Sequence, residues 1–285
     1  MFGTLYIVAT PIGNLEDITH RALRLLREVD LIACEDTRHT RKLLNCFGIK
    51  TKTISYHEHN ERERAEELCK LIESGENVAI VSDAGTPLIR DPGFAIVSAA
   101  IARSIPVVPI PGATAFVAAL VASGLPSDQF FFAGFLPARA SSRRAKLEEL
   151  RAMPATLIFY EAPHRIGTTL KDALNVLGDR RAAVARELTK LHEEIVRGSL
   201  DELAERFSAR GPARGEMVLL ISGADETASR AVAKPEDQPA RLAARVSELE
   251  HEGLDSKAAL KQAARELGLK RAEAYRLMVA QKQRR

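Results

Sequence analysis

Short hydrophobic runs alternate with amphipathic stretches through the first half of the chain. The runs occupy residues 5–9, 31–34, 53–56, 78–81 and 105–110. Their length and apolar character predict buried parallel strands. The stretches between them space their apolar side chains as helices do, for example Ala22, Leu25 and Val29. This alternation predicts an α/β fold built on a doubly wound parallel sheet.

The pattern resumes after a turn cluster, G-L-P-S-D, at residues 124–128. Further strands are predicted at 129–135, 156–160, 182–186 and 217–221, and helices at 140–152, 163–177 and 199–208. We therefore expect a first α/β domain over residues 1–123 and a second over 124–224. Residues 225–239 lack periodicity and contain P-E-D-Q-P, which is typical of a linker.

The last segment, residues 240–285, is predicted to be a small all-helical domain. It contains eleven Lys/Arg against six Asp/Glu, which hints at a nucleic-acid partner. Two helical patterns meet at Gly268, and Ala264 lies four residues before it, as a helix-turn-helix requires. Its second helix would present Lys270, Arg271, Glu273 and Arg276. A plain helical hairpin that packs on the body or on a second subunit is the alternative.

Three of the predicted strands end in loops that are poorly suited to phosphate. The loops T-P-I-G-N at 10–14, S-D-A-G-T-P at 82–87 and P-G-A-T at 111–114 each contain one glycine and no lysine. Nucleotide-binding loops instead use several glycines, or a glycine and a lysine, to bind phosphate oxygens. In open α/β sheets the ligand lies beside such strand ends. The loops therefore favour an uncharged or cationic small molecule.

Composition limits the class of protein. The 285 residues are 46% hydrophobic and 28% charged, which is ordinary for a soluble globular protein. The longest apolar stretch, residues 113–122, is shorter than the roughly 20 residues that a membrane span needs. No basic segment precedes the first apolar run, so we expect no signal peptide. Cys34, Cys46 and Cys69 are well separated, which favours free thiols in a reducing cytosol.

A set of motifs resembles a known superfamily. The motifs are T-P-I-G-N-L at 10–15, E-D-T-R-H-T at 35–40, S-D-A-G-T-P-L-I-R-D-P-G at 82–93, P-G-A-T at 111–114, F-Y-E-A-P-H-R at 159–165, A-R-E-L-T-K at 185–190 and G-E-M-V-L at 215–219. Together they resemble the tetrapyrrole-methylase-fold methyltransferases, and within them the small-subunit (16S) ribosomal RNA cytidine-2′-O-methyltransferases. Arg90 stands where we expect a small polar residue, and Ala113 replaces a common proline.

The resemblance implies a dimeric enzyme with two α/β domains and S-adenosylmethionine in the cleft between them. Carried over motif by motif, the cofactor-binding residues would be Pro11, Gly13, Asp83, Gly85, Gly112, Ala113, Thr114, Tyr160, Glu161 and Glu216. Asp83 would accept hydrogen bonds from the cofactor and offset its sulfonium charge. Asp before Ala-Gly is also ordinary turn chemistry, so a capping role is the alternative.

A ribose hydroxyl needs help in losing its proton, so a general base is expected within about 3 Å of it. The candidate catalytic residues are Asp36, His39 and Glu187, which all follow predicted strands. His57 is a further candidate at a strand end, for the base or for substrate binding, although it could simply cap a turn with His59. No third ligand accompanies this histidine pair, so we expect no metal.

Basic residues supply the predicted RNA contacts. Arg38 is expected to bind a backbone phosphate through its forked guanidinium. Cations at a helix start oppose the helix dipole, so those near residue 140 are better explained by a bound anion. The full predicted substrate set is Arg38, His57, Arg139, Arg143, Arg144, Arg165 and Lys190. A solvated helix face is the alternative for the group near residue 140.

Two other functions remain open at this point. One is methylation of a corrin or porphyrin precursor by an enzyme of the same fold, which E-D-T-R-H-T and the basic tail disfavour. The other is non-catalytic binding of nucleic acid, which leaves the three cofactor-type loops unexplained.

Overall fold

The computed structural model describes residues 2–209, 215–224, 238–251, 254–266, 274 and 276–278. The chain divides into two compact units, Met1–Gly223 and Ala224–Arg285. The strands are β1 (Leu5–Val8), β2 (Leu31–Cys34), β3 (Lys52–Ser55), β4 (Val78–Val81), β5 (Val107–Ile110), β6 (Phe130–Phe135), β7 (Thr156–Glu161), β8 (Arg181–Arg186), β9 (Glu194–Ser199) and β10 (Met217–Ile221). The helices are α1 (His20–Glu28), α2 (Thr37–Cys46), α3 (Glu61–Glu73), α4 (Phe94–Ala102), α5 (Ala115–Ser123), α6 (Ala140–Glu149), α7 (Ile166–Leu177), α8 (Leu200–Ala209), α9 (Gln238–His251) and α10 (Ser256–Glu266).

The first sheet is parallel throughout, in the order β3-β2-β4-β1-β5. The doubly wound parallel sheet that the alternating pattern predicts is therefore present. Its central strand β4 is buried along its whole length, which explains the uninterrupted V-A-I-V. Thr19 caps α1 and Asp36 caps α2, because each side chain accepts a hydrogen bond from a backbone N–H in the first turn of its helix.

The second sheet is mixed, in the order β6-β7-β10-β8-β9. Strand β10 runs antiparallel to both of its neighbours, and β9 pairs antiparallel with β8 at the sheet edge. Strand β9 was not among the predicted strands. Ser199 and Glu202 exchange side-chain to backbone hydrogen bonds at the start of α8, which is the reciprocal pattern of a capping box.

Helix α5 packs on the second sheet, although its residues fall within the first domain predicted from the sequence. Ala119 and Leu120 are buried in one cluster with Ile158 and Val218 of the second sheet. The helix is apolar around its whole circumference, so sequence pattern alone does not say which sheet it covers.

The second unit has a core of its own. Leu242, Val246 and Leu249 of α9 pack against a set of small residues. That set contains Ala259, Ala263, Ala264 and Ala274. Helix α9 begins at Gln238, one residue before the predicted end of the linker. Gly268, Lys270, Arg271 and Glu273, on which the helix-turn-helix prediction depends, lie outside the described residues. Of the helices described, none has the length and apolar character to cross a bilayer.

Candidate active site

A cavity of about 570 Å³ lies where loops of the two sheets face each other. The first sheet contributes the loops that follow β1, β4 and β5 at their carboxyl ends. The second contributes the end of β7, the end of β8 with the loop after it, and the start of β10. The lining residues are Ile12, Asp83, Ala84, Gly85, Thr86, Ile89, Arg90, Asp91, Thr114, Ala115, Phe135, Tyr160, Glu161, Ala162, Pro163, Ala185, Leu188, Gly215, Glu216, Met217 and Val218.

Hydrogen bonds fix the first-sheet loops to one another. Thr10 and Gly85 exchange backbone hydrogen bonds of 2.8 and 3.1 Å. The hydroxyls of Thr86 and Thr114 lie 2.6 Å apart. Gly85 has a φ of +81°, in the left-handed region that favours glycine. The cavity wall on this side is therefore formed before any ligand arrives.

The charged side chains of the lining are mostly acidic. Four carboxylates, those of Asp83, Asp91, Glu161 and Glu216, face a single guanidinium, that of Arg90, among the described lining residues. Apolar side chains make up much of the remaining wall. A negatively charged, partly apolar cavity suits a small organic cation.

Asp91 is a site residue that the sequence analysis did not select. Burial, together with nearby Glu35 and Asp83, raises its pKa to about 6, against an opposing hydrogen bond with Ser82. A carboxyl that titrates this close to neutrality, in a cavity, is characteristic of functional sites. The available signal was its place in the same loop as Asp83, eight residues further along S-D-A-G-T-P-L-I-R-D-P-G.

Six of the ten predicted cofactor residues line the cavity. These are Asp83, Gly85, Thr114, Tyr160, Glu161 and Glu216. The other four, Pro11, Gly13, Gly112 and Ala113, do not belong to the lining. A Cβ on Gly112 would lie 2.8 Å from that of Ala9, so glycine allows the loop after β5 to approach the end of β1. The backbone oxygen of Ala113 accepts a hydrogen bond from Thr86.

Glu161 is held rigidly at the cavity wall. Its carboxylate accepts hydrogen bonds from the Thr169 hydroxyl at 2.6 Å and the Ala162 N–H at 2.8 Å, and it pairs with Arg165 at 3.2 Å. The residue is only 2% exposed. Arg165 also donates to the backbone oxygens of Leu136 and Pro137. The structure thus gives Arg165, a predicted substrate residue, a supporting role behind the cavity.

Asp36 and His39 lie at the start of α2, outside the cavity lining. Two hydrogen bonds from the Arg38 guanidinium, at 3.1 and 2.8 Å, hold the pKa of Asp36 far below its usual range. The backbone N–H of Asp36 donates to Asp83 at 3.2 Å, so this loop directly adjoins the cavity. His39 and Arg38 are exposed beside it.

Glu187, the third predicted catalytic residue, belongs to a charged network at the cavity rim. Lys190 donates to Glu187 at 2.9 Å and to Glu216 at 3.1 Å, and the first of these bonds lowers the pKa of Glu187. A Cβ on Gly215 would overlap the Glu187 side chain. Gly13 packs equally closely on Lys190, so the network also joins the loops after β1 and β8.

The predicted basic helix start divides into exposed and buried residues. Arg139 and Arg144 are exposed, whereas Arg143 is only 5% exposed. Arg143 donates to Asp172 at 2.8 Å and to the backbone oxygen of Ala138 at 3.1 Å. The expectation that Arg143 binds substrate is therefore corrected, because its guanidinium is enclosed by the second sheet's own helices.

His57 lies beside residues 35–40, which we call the acidic loop, and outside the cavity lining. Its backbone N–H donates to the Asn60 side chain at 2.8 Å, which is the turn-capping arrangement that we gave as the alternative. Asn60 is occupied by this turn and does not cap α3 through its side chain. In the described part of the chain, no cluster of His, Cys, Asp and Glu is arranged to bind a metal.

Two five-stranded sheets contribute loops to the acidic cavity, and the fold that they form is that of a known family. Residues 4–204 match the family of tetrapyrrole (corrin/porphyrin) methylases, and the chain belongs to that family. Solved structures of the same fold include a uroporphyrin-III C-methyltransferase from Thermus thermophilus, at 21% identity and a TM-score of 0.55 over 78% of this chain and 94% of that one. Diphthine synthase aligns at 17% identity and a TM-score of 0.57 over 78% of this chain and 90% of that one.

Curated relatives are far more similar in sequence. Ribosomal RNA small subunit methyltransferase I of Halalkalibacterium halodurans is 48% identical over 278 residues, which cover 96% of this chain and 94% of the relative. The protein of the same name from Pseudomonas aeruginosa is 54% identical over 223 residues, or 78% of this chain and 79% of the relative. That from Escherichia coli O157:H7 is 51% identical over 78% of each.

Proposed function

We propose that this protein transfers a methyl group from S-adenosylmethionine to the ribose 2′-hydroxyl of a cytidine in the 16S rRNA of the small ribosomal subunit. The observation that carries the proposal is the acidic cavity, found in a chain that is about half identical to enzymes named for small-subunit ribosomal RNA. Since ribosomes assemble in the cytoplasm, we place the protein there.

The residues of the cavity fit this cofactor. When bound, it supplies an electrophilic methyl group on a positively charged sulfur. Asp83 and Asp91 carry the negative charge that such a cation needs, and Gly85 leaves room for close approach to the backbone. Apolar side chains, among them Leu188 and Val218, exclude water from the same space. Displacement at a sulfonium depends mainly on positioning and on the exclusion of water, which this wall provides.

The acidic loop at residues 35–40 is proposed to receive the RNA. It is joined to the cavity through the hydrogen bond from Asp36 to Asp83. Arg38 is 88% exposed at its side chain and can turn from Asp36 to a phosphate. The ribose hydroxyl must lose its proton as its oxygen takes the methyl group. We assign acceptance of that proton to His39, an exposed imidazole within this segment.

Asp36 and Glu187 are less suited to the same step. Their pKa values are lowered by Arg38 and Lys190 respectively, so each carboxylate is a weak proton acceptor near neutral pH. We propose that they position these two cations beside the RNA. Arg139 and Arg144, exposed at the start of α6, extend the cationic surface.

A corrin or porphyrin substrate is the second candidate. It is favoured only by the fold, since the solved structures named for such substrates are 20–21% identical to this chain. Fold likeness at that level does not carry function. A non-catalytic RNA binder would have no use for the acidic cavity.

The homodimer is proposed from two apolar helices on the first unit. Phe94 and Ile101 of α4 are 77% and 64% exposed, and Val117 and Val121 of α5 are 43% and 74% exposed. Helices that are apolar all round are normally buried. A second copy of the chain would cover these faces.

The test is methyl transfer to RNA. The purified protein is incubated with tritiated S-adenosylmethionine and small subunits from cells that lack the enzyme. Label in 2′-O-methylcytidine supports the proposal, and its absence from RNA contradicts it. The matched variant is Asp83→Asn, which keeps an acceptor for the Asp36 N–H but removes the charge. It should lose both labelling and calorimetric cofactor binding.

A further inference from the structure

We propose that Arg90 binds a phosphate of the RNA beside the ribose that accepts the methyl group. This inference rests on the proposed function and names a substrate contact that the motif resemblance did not supply. Arg90 is the departure from the expected small polar residue in S-D-A-G-T-P-L-I-R-D-P-G. It is also the one cationic side chain among the described residues that line the cavity.

The backbone holds Arg90 in an unusual conformation. Its φ is +70°, and that of Leu88 two residues earlier is +72°. Such angles in non-glycine residues cost about 1–3 kcal/mol and persist where the surroundings impose them, often at ligand sites. The N–H of Arg90 donates to the backbone oxygen of Leu88 at 3.1 Å, which closes this tight turn. The exposed side chain thereby projects at the cavity wall.

The Arg90 side chain lies against strand β6 of the second sheet. The guanidinium carbon of Arg90 lies 5.9 Å from the centre of the Phe135 ring, within cation–π range. Phe135 in turn meets Tyr160 edge to face, with ring centres 5.6 Å apart. Gly134 has a φ of +70° at an irregularity in the β6–β7 pairing, and a Cβ there would overlap the Arg90 side chain. The lack of a Cβ at Gly134 therefore lets the Arg90 side chain lie against strand β6.

The N–H groups of Arg90 are available to a ligand. Within the described residues its guanidinium has no hydrogen-bond or ion-pair partner, whereas Arg143 is paired with Asp172 and Arg165 with Glu161. A cation–π contact uses the face of the guanidinium and leaves its edge for a forked pair of hydrogen bonds. A phosphodiester matches that fork. Two carboxylates of the lining, those of Asp83 and Asp91, have no cationic partner among the described residues. A cation held at this point offsets their repulsion of the RNA backbone.

The test compares Arg90→Asn with wild type on small ribosomal subunits. Asparagine tolerates a positive φ, so the turn is retained. We expect the KM for subunits to rise roughly tenfold, as for loss of one charge-assisted contact. The slope of log affinity against log salt should become shallower by about 0.7, the value for one phosphate contact on single-stranded nucleic acid. The calorimetric Kd for S-adenosylmethionine should be unchanged.

Two further variants separate the effect of the positive charge from that of the forked guanidinium and control for loss of an exposed arginine. Arg90→Lys should recover part of the KM and the full salt slope, because the charge remains while the fork is lost. Arg24→Asn is the control, since Arg24 is an exposed arginine that pairs with Glu28 on α1. Arg24→Asn should change neither the KM for subunits nor the salt slope.

The outcomes distinguish this inference from the proposed function. If wild type does not methylate subunits, the proposed function fails and the inference with it. If wild type is active while Arg90→Asn keeps the wild-type KM and salt slope, only the inference is overturned. Loss of cofactor affinity in Arg90→Asn with an unchanged KM for subunits would instead assign Arg90 to the cofactor's carboxylate, and would also overturn it.

Discussion

Replacing Asp172 by asparagine should destabilise the protein strongly without touching the cavity. Asp172 lies on α7 with its side chain 11% exposed. It accepts from Arg143 at 2.8 Å and 2.6 Å and from Arg144 at 3.2 Å. Asparagine keeps the shape of the side chain but removes the negative charge and turns one acceptor into a donor.

The size of the destabilisation follows from the buried, unpaired charge that the substitution leaves on Arg143. Arg143 would keep its positive charge with its side chain only 6% exposed, and its remaining partners would be backbone oxygens such as that of Ala138. Breaking one side of a buried ion pair typically costs about 3–5 kcal/mol. For a unit of this size, that corresponds to a fall in Tm of about 10 °C.

Chemical denaturation of the full chain measures this effect. The control is Glu149→Gln on α6, which removes an exposed carboxylate paired with Lys146 and should cost less than about 0.5 kcal/mol. At a temperature where both variants are folded, methyl transfer should match wild type. If Asp172→Asn unfolds like wild type but methylates RNA poorly, then Arg143 acts on the substrate and its enclosure in the fold does not define its role.

Three further results are expected. S-adenosylmethionine affinity should fall as the pH drops through about 6, where Asp91 becomes protonated and loses its attraction for a cation, by at most about tenfold for each pH unit below that value. Asp91→Asn should bind weakly at pH 7.5 and lose this dependence, as calorimetry across pH 5–8 would show. Val121→Arg should convert a dimer into a monomer in sedimentation, whereas a dimer that survives the change would refute the proposed interface. Arg180→Met should lower stability by about 2–4 kcal/mol in denaturant titration, because three backbone oxygens at 2.7–3.4 Å would each lose a donor, and a variant as stable as wild type would contradict this.

The sequence predicts the first sheet well and the edge of the second sheet poorly. Buried parallel strands such as β4 are recognisable in the sequence as unbroken apolar runs. Strand β9, E-I-V-R-G-S, mixes apolar and charged residues and includes a glycine, since it is an edge strand with one neighbour. Such a segment is indistinguishable from a loop until its partner β8 is known.

The same limit applies to α5. A helix that is apolar all round contains no directional signal, so its packing on the second sheet depends on tertiary contacts alone. The position of this helix also explains why a boundary at residues 124–128 does not separate the two packing clusters. Helix α5 precedes this boundary in the chain but packs with the sheet that follows it.

For the candidate site, too, the sequence predicts some features and not others. Motif position predicts that Asp83, Tyr160 and Glu216 lie together, and all three line one cavity because residues at the ends of sheet strands converge there. Motif position does not reveal which charges are already paired. Sequence position does not distinguish Arg143 from Arg90, yet Arg143 is enclosed by Asp172 and Arg90 rests on Phe135 with its N–H edge unused among the described residues.

That difference has a physical origin in how each arginine offsets the cost of leaving water. Arg143 is stabilised by an ionised partner, so a second anion would gain little from it. Arg90 remains exposed and rests on a ring whose quadrupole attracts the cation without consuming its hydrogen bonds. Arg90 can therefore bind a phosphate without first breaking an ion pair. Arg38 is exposed but must release Asp36 to do so, and the buried Arg143 is enclosed by the fold. Whether a basic residue near a cavity binds substrate is therefore decided by the partner it already has, and a sequence contains that information only through the fold.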